Sequence, residues 1–374
     1  MTVGIIGLGA MGLGIAQVYA QAGHAVIATD ANTDARATAL TRLRTGLEPR
    51  VAKGAMTAAA RDAVLARVTV VGRVADLAGA DLVIEAVIER LEVKQAVFAA
   101  LEPLLGAGAV LASNTSSLSI AAIAAGLVRP DRLLGLHFFN PAPAMRLVEL
   151  IPHDGTDPQA VRQARALTES AGKTVIQCAD RPGFIVNRCA RPFYGEALAM
   201  LAEGRAAGEI DAALSAAGYR LGPFGLIDLI GADINLAATN GLSVAMGGHP
   251  RYHVFAALRA QVSAGDLGRK TGRGFVFPAK AVPVPADAGA IVHRIEATLV
   301  NEAAWLLNEG GCTEGDIDTA LQLGLNFPRG PFAIMTQRGP KAVRATLAAL
   351  EAAAPPHLKG RYLPAPRLEQ GDAR

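Results

Sequence analysis

A doubly wound α/β domain followed by an all-α region built from two copies of one unit is the architecture this sequence predicts, and three observations carry the prediction. Short β-branched runs alternate with alanine-rich helical stretches through the first third of the chain, as they do when crossover helices join the strands of a parallel sheet. A glycine-rich turn follows the first of those runs. Beyond about Pro182 the strand pattern fades into long Ala/Leu/Glu-rich segments, and those segments repeat.

Strands are expected at Val3 to Gly7, Ala25 to Asp30, Val68 to Val71, Leu82 to Ala86, Val110 to Ser113, Leu133 to Phe138 and Leu147 to Pro152, with helices between them. The first runs into Gly7-Leu8-Gly9-Ala10-Met11-Gly12, and the helical run Leu13 to Gln21 comes next. In such a loop Gly7 suits the tight turn, Gly9 lets the backbone approach a pyrophosphate, Gly12 allows close helix packing, and the helix N-terminus receives the anion. Met11 is counted with these residues as a cofactor contact. Asp30 ends the second strand, where a carboxylate accepts hydrogen bonds from an adenosine ribose. Strand, loop, helix and acid in this order separate a dinucleotide site from a purely structural glycine turn, and make the domain Rossmann-type. Because Asp30 would repel a ribose phosphate, the expected cofactor is NAD rather than NADP.

In the helical part, Glu196 to Gly231 reads EALAMLAEGRAAGEIDAALSAAGYRLGPFGLIDLIG and Glu302 to Arg338 reads EAAWLLNEGGCTEGDIDTALQLGLNFPRGPFAIMTQR. Glu196 pairs with Glu302, Ile210-Asp211 with Ile317-Asp318, and Gly222-Pro223-Phe224 with Gly330-Pro331-Phe332. Each copy reads as two helices, a turn whose glycine supplies an unusual backbone angle, and a third helix opened by proline. A Gly/Pro/Lys-rich connector from about Gly265 to Pro285 separates the copies. The expected organisation is a dinucleotide-binding domain at residues 1–182, a first helical repeat at 183–280 and a second at 286–368. The Pro-rich, charged tail from Pro355 onward reads as an extended surface segment.

Composition excludes several classes. With 374 residues, 51% hydrophobic and 18% charged, the chain is too apolar to be disordered. No apolar run reaches the length of a membrane span, so no membrane partner is expected. Met1 leads into the first strand without a basic leader, which predicts a cytoplasmic protein. Cys178, Cys189 and Cys312 are too few and too scattered for a disulfide framework or a zinc site, and read as buried thiols; no metal is expected. A net charge of +3 is far from the basic stripe of a nucleic-acid binder. There is one local asymmetry: Arg36, Arg42, Arg44, Arg50, Lys53, Arg61, Arg67 and Arg73 face only Asp34, Glu48 and Asp62 over the same stretch.

A second constellation lies at the ends of later strands, where open α/β sheets bind their ligands: Ser113-Asn114-Thr115-Ser116-Ser117, His137-Phe138-Phe139-Asn140-Pro141, Glu149 and Asn187. A histidine after an apolar strand is commonly a hydrogen-bonded core residue, but Pro141-Ala142-Pro143 can turn the next strand back and face Glu149 towards His137. Such a pair fixes the imidazole tautomer and keeps the ring basic enough to take a proton near neutral pH. One residue of the Ser113–Ser117 cluster is expected to cap a helix, leaving other hydroxyls beside the site. A dinucleotide fold with a His/Glu pair suggests alcohol oxidation, the base taking the hydroxyl proton while hydride passes to nicotinamide.

GLGAMG (Gly7 to Gly12), ADLVIEAVIERLEVK (Ala80 to Lys94), SNTSSLSI (Ser113 to Ile120), GLHFFNPAPAMRLVEL (Gly135 to Leu150), RPGFIVNR (Arg181 to Arg188), GRKTGRGF (Gly268 to Phe275) and RYLPAP (Arg361 to Pro366) resemble the L-3-hydroxyacyl-CoA dehydrogenases, the family that includes 3-hydroxybutyryl-CoA dehydrogenase. The resemblance implies His137 as catalytic base, Glu149 as its carboxylate partner, and Ser116 and Asn187 as residues that hydrogen-bond the reacting oxygen or orient the substrate. It implies cofactor contacts at Glu89 and Lys94, with Asn114 and Ser116 near the nicotinamide end. It also implies a helical hairpin after the second strand that contacts CoA, for which Arg50 and Lys53 are the candidates; a solvated helix face is the other reading of these cations.

Pro49 interrupts the expected CoA-contacting helix, and Val276 stands where the family commonly has an aromatic residue. Val292 falls opposite Asn187, which makes the second repeat structural rather than catalytic. Short family members have one such repeat and pair through it, so a second covalent copy can take the partner's place; a monomer or a homodimer is expected. The reaction implied is NAD-dependent oxidation of an L-3-hydroxyacyl-CoA such as 3-hydroxybutyryl-CoA. The competing readings are a dehydrogenase of a free hydroxy acid or sugar acid on the same fold, and a non-catalytic NAD-binding protein.

Overall fold

The amino-terminal strands form one eight-stranded sheet: β1 (Thr2–Ile6), β2 (Ala25–Thr29), β3 (Val68–Val70), β4 (Leu82–Glu85), β5 (Val110–Ser113), β6 (Leu133–Phe138), β7 (Leu147–Ile151) and β8 (Thr174–Gln177). These come from a computed structural model that describes residues 1–369 and divides into two units, Met1–Arg181 and Pro182 onward. The strand order is β3-β2-β1-β4-β5-β6-β7-β8, with every neighbouring pair parallel except the antiparallel β6 and β7. Strands β4 to β7 are buried along their whole length, which near-continuous apolar sequence in a sheet covered on both faces requires.

The seven expected strands lie within one residue of their predicted limits, and β8 was not expected. Thr174-Val175-Ile176-Gln177 is four residues with polar ends, and it becomes a strand by pairing along β7. Helices α1 (Ala10–Gln21), α2 (Thr33–Ala52), α3 (Ala58–Ala66), α4 (Leu91–Leu101), α5 (Ile120–Ala124) and α6 (Pro158–Ser170) fill the connections. The chain reverses direction across the sheet at β1 and β4, so the crevice for a ligand opens at their carboxyl ends.

The second unit is helical: α7 (Val186–Cys189), α8 (Arg191–Ala202), α9 (Ala207–Ala216), α10 (Pro223–Ile230), α11 (Ala232–Ala245), α12 (Ala256–Ser263), α13 (Ala288–Glu309), α14 (Glu314–Leu325), α15 (Pro331–Arg338), α16 (Pro340–Ala353) and α17 (Pro366–Glu369). The two Gly-Pro-Phe turns are built alike. Asp211 accepts from the amides of Phe224 (3.0 Å) and Gly225 (2.6 Å), and Asp318 from those of Phe332 (2.8 Å) and Ala333 (2.9 Å), so each carboxylate caps the helix its turn opens. Burial nevertheless pushes the Asp211 carboxyl up to about 6. The glycine is needed for a different reason than expected. Gly222 and Gly330 have ordinary extended φ angles of −72° and −83°, but a Cβ there would lie 2.4 Å from Asp211 and 2.2 Å from Asp318.

The copies are joined by exchanged ion pairs. Glu196, fully buried in the first, receives Arg294 (2.7 Å), Arg361 (3.4 Å) and the Tyr362 hydroxyl (3.1 Å) from the second. Glu302, buried in the second, accepts from Arg188 (2.8 Å) and the Tyr252 hydroxyl (2.5 Å) of the first, whose Arg251 Nε lies 3.0 Å from its other oxygen as an ion pair without hydrogen-bond geometry. The same arginines reach Glu203 and Glu309, Arg294 at 2.6 Å and Arg188 at 2.7 Å. Removing one member would strand a buried charge, so the exchange holds the copies in register.

That register corrects two expectations. Arg188 matches Arg294, so His293, not Val292, stands opposite Asn187. The tail is not an extended surface segment either, since Arg361, Tyr362, Ala365 and Leu368 are buried. Cys178 and Cys189 are buried, whereas Cys312 is only half-buried. No helix among the described residues is long and apolar enough to cross a membrane.

Candidate active site

The glycine loop opens at the end of β1. Gly7 has φ 98° and donates its amide to Thr29 O at 2.9 Å; a Cβ there would lie 2.5 Å from Ala86 O. A Cβ on Gly12 would lie 1.8 Å from Gly7 O, so α1 packs against the loop more closely than any other residue permits. Nothing lies within 4 Å of a Cβ on Gly9, the N-cap of α1, which leaves open space above a helix N-terminus. This cradle fits a dinucleotide pyrophosphate, with half-buried Met11 behind it. Asp30 accepts from the Leu8 amide at 2.6 Å and the Asn32 amide at 2.8 Å, which ties the loop to the end of β2.

At the neighbouring strand ends, a buried charge network orders the Ser113–Ser117 segment. Glu85, fully buried, accepts from Lys94 Nζ and Ser113 Oγ, each at 2.7 Å, and from the Val87 amide at 2.7 Å. Lys94 Nζ also lies 3.3 Å from Glu89 Oε2. Glu89 Oε1 accepts from Thr115 Oγ1 (2.7 Å), Ser116 N (2.9 Å), Ser116 Oγ (3.2 Å) and Ser117 Oγ (3.0 Å). Burial pushes the Glu89 carboxyl up, but Lys94 and these hydrogen bonds outweigh it and hold the group below the usual glutamate range. Lys94, expected at the cofactor, thus has its ammonium buried between two carboxylates. Sequence reasoning passed over Glu85; its signal was an acid closing the apolar run Leu82-Val83-Ile84, nine residues before a lysine.

None of the Ser113–Ser117 residues caps a helix. Ser119 caps α5, accepting from Ala122 N at 3.2 Å, while Thr115 closes a local turn by accepting from Leu118 N at 2.9 Å. Asn114 Oδ1 accepts from the Phe138 amide at 2.8 Å and so pins the end of β6 to that of β5.

His137 and Glu149 are directly opposed in the antiparallel β6–β7 pair. Nδ1 donates to Glu149 Oε2 at 2.7 Å, with the carboxylate fully buried and the ring 6% exposed. With that proton committed, Nε2 presents the lone pair. The turn through Pro141–Pro143 that returns β7 is tethered by Lys173, whose Nζ donates to Ala142 O (2.6 Å) and Met145 O (2.8 Å); burial pulls its ammonium down to about 8. Phe139 packs on the imidazole at 4.5 Å between ring centroids.

Asn187 belongs to the second unit. Gly183 (φ 77°) and Phe184 (φ 48°) turn the chain into α7, which carries it. Here the copies differ: the helix breaks between α7 and α8 before Pro192, whereas α13 runs unbroken through Thr298 at the matching place.

Of the eight cations in the basic stretch, Arg44 and Arg61 pair with Asp62, Arg61 also with Glu48, and Arg73 with Asp76. Arg67 donates to backbone carbonyls, as do Arg36 and Arg42. Arg50 and Lys53 are exposed and have no side-chain partner among the described residues. The interruption expected at Pro49 does not occur: α2 continues to Ala52, because a proline in the last turn costs only one hydrogen bond near the helix end.

Family models match both units of the chain. Residues 2–181 match the NAD-binding domain of 3-hydroxyacyl-CoA dehydrogenase, and residues 183–277 and 289–371 both match its C-terminal domain. The chain is 36% identical to the 3-hydroxyadipyl-CoA dehydrogenase of Escherichia coli K12, over 90% of this chain and 91% of that protein. A crystal structure of 3-hydroxybutyryl-CoA dehydrogenase from Escherichia coli K12 superposes with TM-score 0.94 at 34% identity, covering 99% of this chain and 98% of that one. The (S)-3-hydroxybutyryl-CoA dehydrogenase of Ralstonia eutropha superposes at 0.70 with 38% identity, covering 73% of this chain and 97% of its own. The chain belongs to the 3-hydroxyacyl-CoA dehydrogenase family and is an NAD-dependent oxidoreductase.

Proposed function

We propose that the chain reversibly oxidises the 3-hydroxyl of a short L-3-hydroxyacyl-CoA, of which 3-hydroxybutyryl-CoA is the simplest, with His137 as general base and Glu149 as its partner. The observation that carries this reading is the 2.7 Å hydrogen bond between the opposed His137 and Glu149. Nε2 of His137 takes the hydroxyl proton, and the buried Glu149 carboxylate stabilises the imidazolium that results. Ser116 and Asn187 are assigned to hydrogen-bonding the reacting oxygen or orienting the substrate. Gly7, Gly9, Met11, Gly12 and Asp30 hold the dinucleotide, while Glu89 and Lys94 set the serine-rich segment beside which Asn114 and Ser116 meet its nicotinamide end. When bound, NAD supplies the hydride acceptor. The test is NADH consumption with acetoacetyl-CoA beside acetoacetate alone: oxidation only with the thioester supports the reading, and oxidation only with the free acid overturns it.

Arg50 and Lys53 are assigned to the CoA phosphates because they are the exposed cations of the α2–α3 hairpin without partners. The double variant Arg50→Ala/Lys53→Ala is expected to raise KM for acetoacetyl-CoA about tenfold or more, as loss of charge-assisted hydrogen bonds does, with kcat little changed. Steady-state kinetics at low and high salt checks this, since the defect shrinks as salt screens the wild-type contacts.

Residues 1–182 are assigned to NAD, 183–280 to the repeat that carries Asn187, and 286–368 to a non-catalytic repeat in the place a partner subunit would take. The exchanged Arg188/Glu302 and Arg294/Glu196 pairs support this, because each repeat already has its complement within the chain. A monomer is expected by size-exclusion chromatography with light scattering; a homodimer built through the first repeat would refute it. A cytoplasmic location completes the reading, in keeping with a chain of three cysteines, two of them buried.

A further inference from the structure

Two cations of the basic stretch sit at the adenosine end of the dinucleotide site rather than on the hairpin's outer surface. Arg36 donates through Nη1 to Asp30 O and to Ala31 O (3.1 Å), and through Nη2 to Thr33 Oγ1 (3.0 Å). Arg42 donates through Nη2 to Leu8 O in the glycine loop (2.8 Å) and to Ala35 O (3.0 Å). Their partners are carbonyls and one hydroxyl, so neither charge is neutralised by an ion pair among the described residues, unlike Arg44, Arg61 and Arg73. Anchored in this way, both guanidiniums are held in place without losing their charge, and Arg42 keeps Nε and Nη1 for another acceptor.

Both are tied to Asp30, Arg36 through its backbone carbonyl and Arg42 through Leu8, whose amide the Asp30 carboxylate accepts. Its two oxygens accept the Leu8 and Asn32 amides, which fixes one negative charge where the ribose hydroxyls arrive. In doubly wound folds an acid at this place reads a 2′-hydroxyl, whereas a nearby arginine accommodates a 2′-phosphate; this chain carries both devices at once. We propose that Arg36 and Arg42 form a latent 2′-phosphate subsite, and that the fixed charge of Asp30 alone keeps it closed to NADPH. Cofactor choice is then a local balance of one carboxylate against two preoriented guanidiniums.

The test reads binding rather than turnover, so it stands even if the dehydrogenase reading fails. NADH and NADPH are titrated by calorimetry into the full chain as wild type, Asp30→Asn, Asp30→Asn/Arg36→Met and Asp30→Asn/Arg42→Met. Asparagine keeps an acceptor for a loop amide and removes the charge. Asp30→Asn is expected to shift the affinity ratio towards NADPH by about 10- to 100-fold, the range that hydrogen bonds to a charged group supply. Either arginine substitution then removes most of that gain, lowering NADPH affinity more than NADH affinity. A ratio unmoved by Asp30→Asn, or a gain that survives both arginine substitutions, overturns the proposal. If Asp30→Asn does not fold, Asp30→Ala, Asp30→Ala/Arg36→Met and Asp30→Ala/Arg42→Met are compared for 2′,5′-ADP against 5′-ADP: selective weakening of 2′,5′-ADP by the arginine substitutions upholds the subsite, and equal weakening rejects it.

Discussion

Replacing His137 with alanine is expected to lower kcat by roughly 10²- to 10⁴-fold, the contribution a positioned general base makes. NADH binding should remain nearly intact, because the glycine loop and Asp30 are held by their own hydrogen bonds, Gly7 N to Thr29 O and the Leu8 and Asn32 amides to the Asp30 carboxylate. Single-turnover oxidation of NADH by acetoacetyl-CoA separates the two effects. Partial recovery with added imidazole would place the loss at proton transfer, and a turnover rate equal to wild type would exclude His137 as the base.

Glu149→Gln is expected to be nearly as damaging although it changes a single atom. Glu149 is fully buried and accepts the Nδ1 proton of the ring directly opposite. A glutamine amide turned towards Nδ1 donates instead of accepting, which drives the ring into the tautomer with its proton on Nε2. That tautomer cannot take a proton from the substrate, and the same inversion in a histidine–carboxylate pair of another enzyme class costs about 10⁴-fold in kcat. The variant should fold, since an amide of equal volume replaces the carboxylate. Far-UV circular dichroism like that of wild type, NADH affinity near wild type and a kcat at least about 100-fold lower are the expected set. A kcat within severalfold of wild type would show that His137 needs no carboxylate partner. Loss of folding together with activity would assign Glu149 to the sheet rather than to the chemistry.

Local signals and long-range partners account for what could and could not be read from the chain. The glycine loop was readable because its requirements lie within six consecutive residues, and the structure shows each as a distance: 2.5 Å from Ala86 O at Gly7, 1.8 Å from Gly7 O at Gly12, open space at Gly9. Strands β4 to β7 were readable as continuous apolar runs, which burial on both faces requires, and β1 to β3 as short β-branched runs between helical stretches. The opposition of His137 and Glu149 followed from a turn of known direction between two such runs. β8 was not readable, since four residues with polar ends carry too little periodicity and only the pairing with β7 makes them a strand.

The partners of charged side chains escaped for a different reason. Glu85 and Lys94 are close in sequence, yet nothing local says that both are buried and joined. Thr115, expected to be one of several spare hydroxyls, is instead drawn to Glu89 from across the strand ends.

Fold class, cofactor class and the opposition of His137 and Glu149 were thus legible in the sequence, because periodicity, backbone demands on glycine and residue types near a turn act over a few residues. The matching of the two repeats, the reason for the Gly-Pro-Phe glycine and the sorting of eight basic residues into hairpin ties, exposed cations and loop-facing guanidiniums were settled by tertiary structure. Arg188 and Glu302 lie 114 residues apart and Arg361 and Glu196 lie 165 apart. A charge buried in the core must find its partner wherever the chain brings one, and that choice is made by packing rather than by neighbours along the sequence.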